Sequence, residues 1–494
     1  MTRNSSVAAN LNPAQRKKLF LEMQSSNQTI SVIANREGVS RKFLYQQRKK
    51  GDQALEKGFN QPKEESDILY WIPVTKEWIF QVILALIFIC HSSYRGVVEF
   101  LRDLFDYPIS VGTVHNKVSS MIETAQKINK SQDFSGIKVG LKDEIFQSGL
   151  PVLTGIDAFS TYCYLLVGAD HRDEDTWGWH LLEASQQGLN PDFSIADAGK
   201  GLRAGHEAAW PGKPCHGDTF HILHKTEGLE NYVHRRAKAR TGQREKLEKK
   251  MEKAKSKGQG NRWSTKLTNA RRAEQKAIIL AKDISILCDW LKEDVLALAC
   301  PDCVERAELW DFIVAEFKQR ESLCLHRIRP VRTALENQKK ELLAFALVLD
   351  EKLTEISQRF DIPLYWVRQV CLLRGQNKQE NAYWSTWNEL HQKIGYQFYL
   401  LFEAVEQAMK ETPRASSLVE NFNSRLRNYF FLRRTLGNDY LDLLRFFLNH
   451  RTFLRSEHPE RVGKSPTELL TGQPHSHWLE LLGFDLFRQP KIAV

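Results

Sequence analysis

Three things are scarce in this sequence, and each scarcity removes a class of protein. The eight cysteines are scattered over 494 residues, which excludes the dense disulfide framework of a small secreted domain. Cys300-Pro301-Asp302-Cys303 forms a CxxC, but no second CxxC or HxxxH follows to complete a structural zinc site. Apolar runs are short. The longest, Trp78 to Cys90, is interrupted by Gln81 and falls below the ~18–20 residues needed to cross a bilayer. The segment Met1 to Asn12 is polar and lacks the apolar stretch of a signal peptide. The chain therefore reads as a cytoplasmic protein.

What is present is the composition of an ordinary folded protein. Apolar residues make up 42% and charged residues 26%, which rules out wholesale disorder, and the length suits several domains. Lys and Arg outnumber Asp and Glu by 70 to 60, a formal charge of +10. Such an excess, if clustered, favours a polyanionic partner.

Residues 13–50 predict three short helices: Pro13 to Gln24, Thr29 to Glu37, and a basic helix from Arg41 to Lys50. Gly38 suits the left-handed residue that ends the second helix, and Ser40 suits the N-cap of the third. A helix, a tight turn and a basic helix form the helix-turn-helix pattern, whose second helix enters the major groove of DNA. Arg41, Lys42, Tyr45, Gln46 and Arg48 are the candidates to face that groove. The alternative is a plain helical hairpin with a solvated basic face. A polar linker over 51–70 leads to a second helical region, 71–132, in which Ser110 again suits a helix cap before a less basic helix.

From residue 136 the apolar periodicity changes to two. Ile137, Val139, Leu141, Asp143 and Ile145 alternate along one strand. Two further strands, Pro151 to Ile156 and Thr161 to Gly168, follow by short connections as an antiparallel meander. A helix, Asp175 to Gln187, precedes a buried strand, Asp192 to Ala196, which ends at Asp197 before a glycine turn. Another strand is expected near Lys213 to Asp218. The chain then turns almost wholly helical up to Pro413, including a Glu- and Lys-rich stretch, Arg244 to Lys257, that reads as a solvated, salt-bridged helix. A strongly amphipathic helix begins near Ser417, with Glu420, Asn423, Ser424 and Arg427 sharing one face through spacings of three and four.

The series Lys142-Asp143-Glu144-Ile145-Phe146, Ala196-Asp197-Ala198-Gly199, Cys215-His216-Gly217-Asp218-Thr219-Phe220-His221 and Glu420-Asn421-Phe422-Asn423-Ser424-Arg425-Leu426-Arg427 resembles the DDE transposases of bacterial insertion sequences. That resemblance implies a multidomain chain: an α-helical helix-turn-helix region, then an α/β RNase H-like catalytic core interrupted by an all-α insertion. Its parts would be a core segment at 136–224, the insertion at 225–412, a returning core helix at 413–455 and a tail at 456–494. It implies Asp143, Asp197 and Glu420 as a catalytic triad that holds two Mg²⁺ (or Mn²⁺) ions. The triad's spacing is 54 residues from Asp143 to Asp197 and 223 from Asp197 to Glu420, the longer interval leaving room for the insertion. Asp218 and His221 match a motif that often follows the second Asp, in a supporting or structural role.

Hard cations prefer carboxylate oxygens, and phosphodiester chemistry suits a two-ion site. Asn423, Ser424, Arg425 and Arg427 are the candidate phosphate contacts. Asp157 competes with Asp143 as the first acidic residue, and Asp143 is preferred because two strands follow it before the helix. The implied partners are double-stranded DNA, as the element's terminal inverted repeats and its target, and further copies of the chain, at least a dimer on DNA, in a bacterial cytoplasm at the nucleoid. The competing reading is a catalytically silent, domesticated DNA-binding protein.

Overall fold

The computed structural model describes residues 8, 11–26, 28–59, 72–256, 261–433 and 435–487. The chain divides into two units, Met1–Val74 and Thr75–Val494.

The first unit is built from α1 (Pro13–Ser25), α2 (Ile30–Arg36) and α3 (Arg41–Phe59). Asn12 and Gln15 cap α1 reciprocally, and Ser40 Oγ accepts the Phe43 N–H at 3.1 Å at the start of α3. Gly38 takes φ 63° in the turn, a conformation that glycine adopts without steric cost. Leu19, Phe20, Met23, Ile33, Ala34, Val39 and Leu44 form the core. The expected linker begins later than its composition suggests, because α3 continues to Phe59. Gly51 permits this: a Cβ there would stand 2.2 Å from the Phe20 ring. The remainder of that linker, 60–71, lies outside the described residues.

The second unit opens with α4 (Lys76–Phe88), α5 (Tyr94–Phe105), α6 (Val111–Ser119) and α7 (Ile122–Ser131). Thr75, Ser93 and Ser110 cap the first three through their side chains. The apolar α4 buries Ile79, Ile83, Leu84, Ile87 and Phe88 in the main core. Among the described residues no helix is long and apolar enough to cross a membrane.

Behind these helices stands one five-stranded sheet in the order β3-β2-β1-β4-β5. Its strands are β1 (Val139–Gln147), β2 (Leu150–Asp157), β3 (Cys163–Gly168), β4 (Phe193–Ala196) and β5 (Cys215–Gly217). The first three form the expected antiparallel meander, turned by Ser148 and Gly149, both with positive φ. Strands β4 and β5 add in parallel, with Lys142 opposite Ala196 and Ala196 opposite Gly217.

Both faces of the sheet are covered, which explains a near-continuous buried run in β1. One face packs against helices of the main core. The other meets α8 (Glu174–Gln186) and α9 (Lys200–Ala209) through Leu153, Tyr164, Trp177, Leu181 and Leu202. On that side Lys142 is fully buried, its Nζ 2.7 Å from His206 Nδ1 and 4.5 Å from the Trp210 ring. Loss of water pushes its ammonium down to about 7.

The helical insertion runs from α10 (Thr219–Lys255) and α11 (Asn261–Asp289), through a π-helical turn at Trp290–Val295, to α12 (Cys303–Arg320), α13 (Leu325–Phe360), α14 (Leu364–Gly375), α15 (Asn381–Ile394) and α16 (Phe398–Lys410). It has apolar clusters of its own, one around Ile284, Trp310 and Phe317 and another around Val367, Leu373 and Phe398. The charged stretch in α10 is salt-bridged: Arg244 meets Glu248 at 2.6 Å and Glu274 at 2.9 Å. The CxxC spans the end of a loop and the first residue of α12, and buried Arg306 closes that loop by donating to the carbonyls of Val295, Ala297, Leu298 and Pro301.

The chain returns to the sheet as α17 (Ser417–Leu432) and α18 (Asn438–His450). Asn438 and Asn449, three turns apart on α18, bond both backbone groups of Gly168 and of Cys163. This caps both ends of the open edge of β3, where another chain could otherwise pair. The last segment, read from sequence as a tail, holds α19 (Pro466–Thr471) and α20 (Trp478–Leu481). Trp478, Leu479 and Phe484 are buried in the main core, so this segment completes it.

Helices α8 and α9 approach most closely at a glycine pair. A Cβ on Gly205 would fall 2.5 Å from Trp177 Cβ and 2.8 Å from Gly178 N. Gly205→Ala should therefore destabilise the protein by about 1–3 kcal/mol, visible as a lower midpoint in denaturant unfolding. Ala at Gly228, a helical position with open space around it, should be neutral or mildly stabilising.

Candidate active site

The parallel register brings three acidic residues to one row. Lys142, Ala196 and Gly217 are neighbours across β1, β4 and β5, so the residues that follow them, Asp143, Asp197 and Asp218, succeed one another across the sheet. Each is held by a rigid strand or strand end, the placement a ligand-binding carboxylate needs.

Asp143 is buried. Its Oδ1 accepts the Glu144 N–H at 2.8 Å and its Oδ2 accepts Asn423 Nδ2 at 2.8 Å. Burial raises its carboxyl to about 7, and the charges of Glu420 and Asp197 push the same way; the Glu144 N–H and His221 oppose the rise. The site therefore concentrates negative charge that the protein's own groups leave incompletely balanced.

Glu420 arrives on the first turn of α17, half-buried. His221 comes from the first turn of α10, one turn after Asp218. One ligand atom from each of Asp143, His221 and Glu420 lies within 4.8 Å of the others. The His221 Nε2 atom is buried and makes no hydrogen bond, standing 3.9 Å from Asp143 Oδ1 and 3.4 Å from Asp218 Oδ2. Two carboxylates and an imidazole nitrogen without a partner form a donor set that suits a divalent cation.

Asp218 is buried and acts as a clasp. Its Oδ1 accepts the N–H groups of Phe220 and Ser416, each at 2.9 Å, and its Oδ2 accepts the Ser416 hydroxyl. The helix that carries His221 and the helix that carries Glu420 are thereby tied at their starts to the end of β5.

Some candidates stand elsewhere than the sequence suggests. Asp197, expected in the cluster, lies just outside it: its Oδ1 accepts the Gly199 N–H at 2.8 Å, holding the turn into α9. Its place in the tight group is taken by His221, which the sequence analysis set in a supporting role. Asn423, expected on a phosphate, is buried instead, bridging Asp143 and the Thr154 hydroxyl at 3.2 Å. Ser424 and Arg427 are exposed on the Glu420 side of α17, with Arg427 3.7 Å from Glu420. Arg425 points away from that side, its Nε donating to Asn421 at 3.2 Å. Asp157 is a turn residue whose Oδ2 accepts the N–H and the hydroxyl of Ser160, at 2.7 and 2.6 Å. In the first unit Leu44 is buried, while Arg41, Lys42, Tyr45, Gln46 and Arg48 are all exposed on α3.

Arg203 is a residue the sequence reading missed. It donates to the carbonyls of Asp197, Cys215 and Ala196, locking together the strand ends that carry Asp197 and Asp218. No motif marks it. Its position one turn into the helix after a strand-end Asp was the available signal.

The carboxyl of Asp143 gives a signed pH prediction. Below about pH 4 it is protonated in both the folded and the unfolded chain. As the pH rises toward 7 the unfolded chain releases that proton and the folded chain keeps it, so folding stability falls. Asp143→Asn should match the wild type near pH 4 and be more stable by up to a few kcal/mol at pH 8, as read from metal-free denaturant curves. Added Mn²⁺ should raise the wild-type unfolding temperature at pH 8 and leave that of Asp143→Asn unchanged. No protein-family model matches the chain, and no curated protein matches it in sequence.

Proposed function

We propose that the protein is a DDE-type transposase, which binds the terminal inverted repeats of its element and carries out metal-dependent DNA cleavage and strand transfer. The observation that carries this reading is the meeting of Asp143, His221 and Glu420, drawn from a central strand, the helix after β5 and a helix some 200 residues further on. The strand order 3-2-1-4-5, antiparallel and then parallel, supports an RNase H-like core. The exposed basic residues on α3, after a helix and a short turn, support a helix-turn-helix contact with the major groove.

Asp143, Glu420 and His221 would hold Mg²⁺ or Mn²⁺, and Asp197, on the neighbouring strand end, is the remaining carboxylate for a second ion. Ions bound there would help to activate an attacking oxygen and to stabilise a leaving oxygen at phosphorus. Asn423 and the Glu144 N–H fix both oxygens of Asp143, so the ligand is oriented before any substrate arrives. The Asp218 clasp sets the distance between Glu420 and His221. Ser424 and Arg427 lie where an incoming phosphate would meet the Glu420 side, and a guanidinium matches a phosphate through paired N–H groups.

In the first step water attacks the phosphodiester at the element boundary, breaking the bond to the 3′ oxygen and leaving a free 3′-hydroxyl and a 5′-phosphate. In the second that hydroxyl attacks a target phosphodiester, forming one phosphorus–oxygen bond as another breaks. Joining two ends requires at least two copies of the chain.

The test is a cleavage assay on labelled duplex containing the DNA that flanks the gene, with Mg²⁺ or Mn²⁺. Wild type is expected to nick at the element boundary. Asp143→Asn, Asp197→Asn and Glu420→Gln should each lose at least 100-fold in rate, a loss of about 2.7 kcal/mol or more in transition-state stabilisation. Asp157→Asn, which keeps a turn acceptor, should retain activity. Specific binding of the ends without cleavage under either metal would overturn the catalytic reading in favour of a silent DNA-binding relative.

A further inference from the structure

On the flank of α17 away from the carboxylate cluster lies a second concentration of charge, of opposite sign. Five residues separate Glu420 from Arg425, which on a helix is about 140° of rotation and ~7.5 Å of rise. Arg425 therefore leaves the Glu420 side and lines a depression of about 300 Å³ shared with His91, Asn428, Arg451 and Arg455. Among the described residues no carboxylate pairs with any of the three arginines, whereas Arg427, two residues from Arg425, meets Glu420. Arg425 and Arg451 repel each other: Arg425 is held below the usual arginine value first by loss of water and then by the Arg451 charge. His91 is lowered likewise, by burial and then by Arg451.

The walls are fixed. Tyr429 donates its hydroxyl to the Phe88 carbonyl at 2.6 Å and packs edge-on against the His91 ring at 4.7 Å. Phe453 lies 6.0 Å from the Arg425 guanidinium and is bridged to Val462, with its N–H on the Lys464 carbonyl and its carbonyl on the Gly463 N–H. Three arginines lining one small concavity, with no carboxylate partner among the described residues, match a tetrahedral oxyanion, because each guanidinium offers paired donors to phosphate oxygens.

We propose that this Arg425–Arg451–Arg455 pocket binds a phosphate group, and that its source is a backbone phosphodiester of the DNA on which the carboxylate cluster acts. The choice of source rests on the proposed function. One helix would then engage the same duplex from two sides, through Glu420 at the reacting phosphate and through Arg425 at an anchoring one.

The test uses the full chain and two probes: a random-sequence labelled duplex, read by anisotropy across a salt series, and inorganic phosphate, read as a shift in unfolding temperature. The variants are Arg451→Gln and, at a solvent-exposed position with little bearing on folding, Arg455→Gln. Each variant is expected to weaken duplex binding several-fold and to make the negative slope of log K against log salt shallower by about 0.9, the value of one phosphate contact. Unfolding temperatures without ligand should be no lower than that of the wild type, since each change removes a like charge. Wild-type affinity and slope in both variants, with no difference in their phosphate shifts, would overturn the proposal while leaving DNA binding by the wild type intact. Failure of the wild type itself to bind duplex would overturn the proposed function and the backbone source together. In that case a phosphate shift present in wild type and absent in both variants would assign the pocket to free phosphate, and its absence would remove the pocket altogether.

Discussion

Everything around the carboxylate cluster follows from the burial of a single charge. A carboxylate moved out of water is costly unless hydrogen bonds or a cation compensate it. Asp143 has two compensating donors, one from its own strand and one from α17, and its raised value indicates that they fall short. The shortfall is the property that suits the residue to a cation. A site fully neutralised by its own arginines would be more stable and would have less to offer a metal ion.

This constraint explains the otherwise odd position of Asn423. An amide between Asp143 and Thr154 uses both of its ends, donating to one and accepting from the other, and it holds α17 against the sheet. Glu420, one turn earlier, is placed by the same contact. The Glu420 side of that helix thus has an inner half that orients Asp143 and an outer half, Ser424 and Arg427, that is exposed, with Arg427 3.7 Å from Glu420. The buried Lys142, adjacent to Asp143 in sequence, belongs to another environment, because successive strand residues face opposite sides of the sheet.

Much of this was legible from the sequence. Period-two alternation marked β1, short connections marked the meander, and serines at helix starts marked the caps at Ser40 and Ser110. Asp143 and Glu420 came from motif order, and the structure brings them together. What sequence could not supply was the competition among polar partners. Whether Asp197 turns toward the cluster or toward the Gly199 N–H is settled by local turn geometry, and whether His221 supports or joins the group depends on where α10 leaves the sheet. The direction of Arg425 was available in principle, since five residues on a helix carry a side chain off the Glu420 side, but clustered basic residues in a linear motif hide that rotation. The end of α3 was misjudged for a simpler reason: Gly51 looks like a breaker until the ring of Phe20 is seen to need the space.

The clasp at Asp218 has an architectural consequence. The chain departs from the sheet there and comes back at Ser416, and the two points are joined by hydrogen bonds across 198 residues of sequence, with the Thr219 N–H on the Arg414 carbonyl beside them. Beyond this neck the insertion also rests on the sheet, where Leu342 of α13 packs against Gly217 of β5. Because the entropy of closing a flexible loop grows only with the logarithm of its length, doubling the excursion would cost about 0.6 kcal/mol more. With its ends sealed at the neck, a change of length in the loops far from β5 leaves the spacing of His221 and Glu420 unaltered.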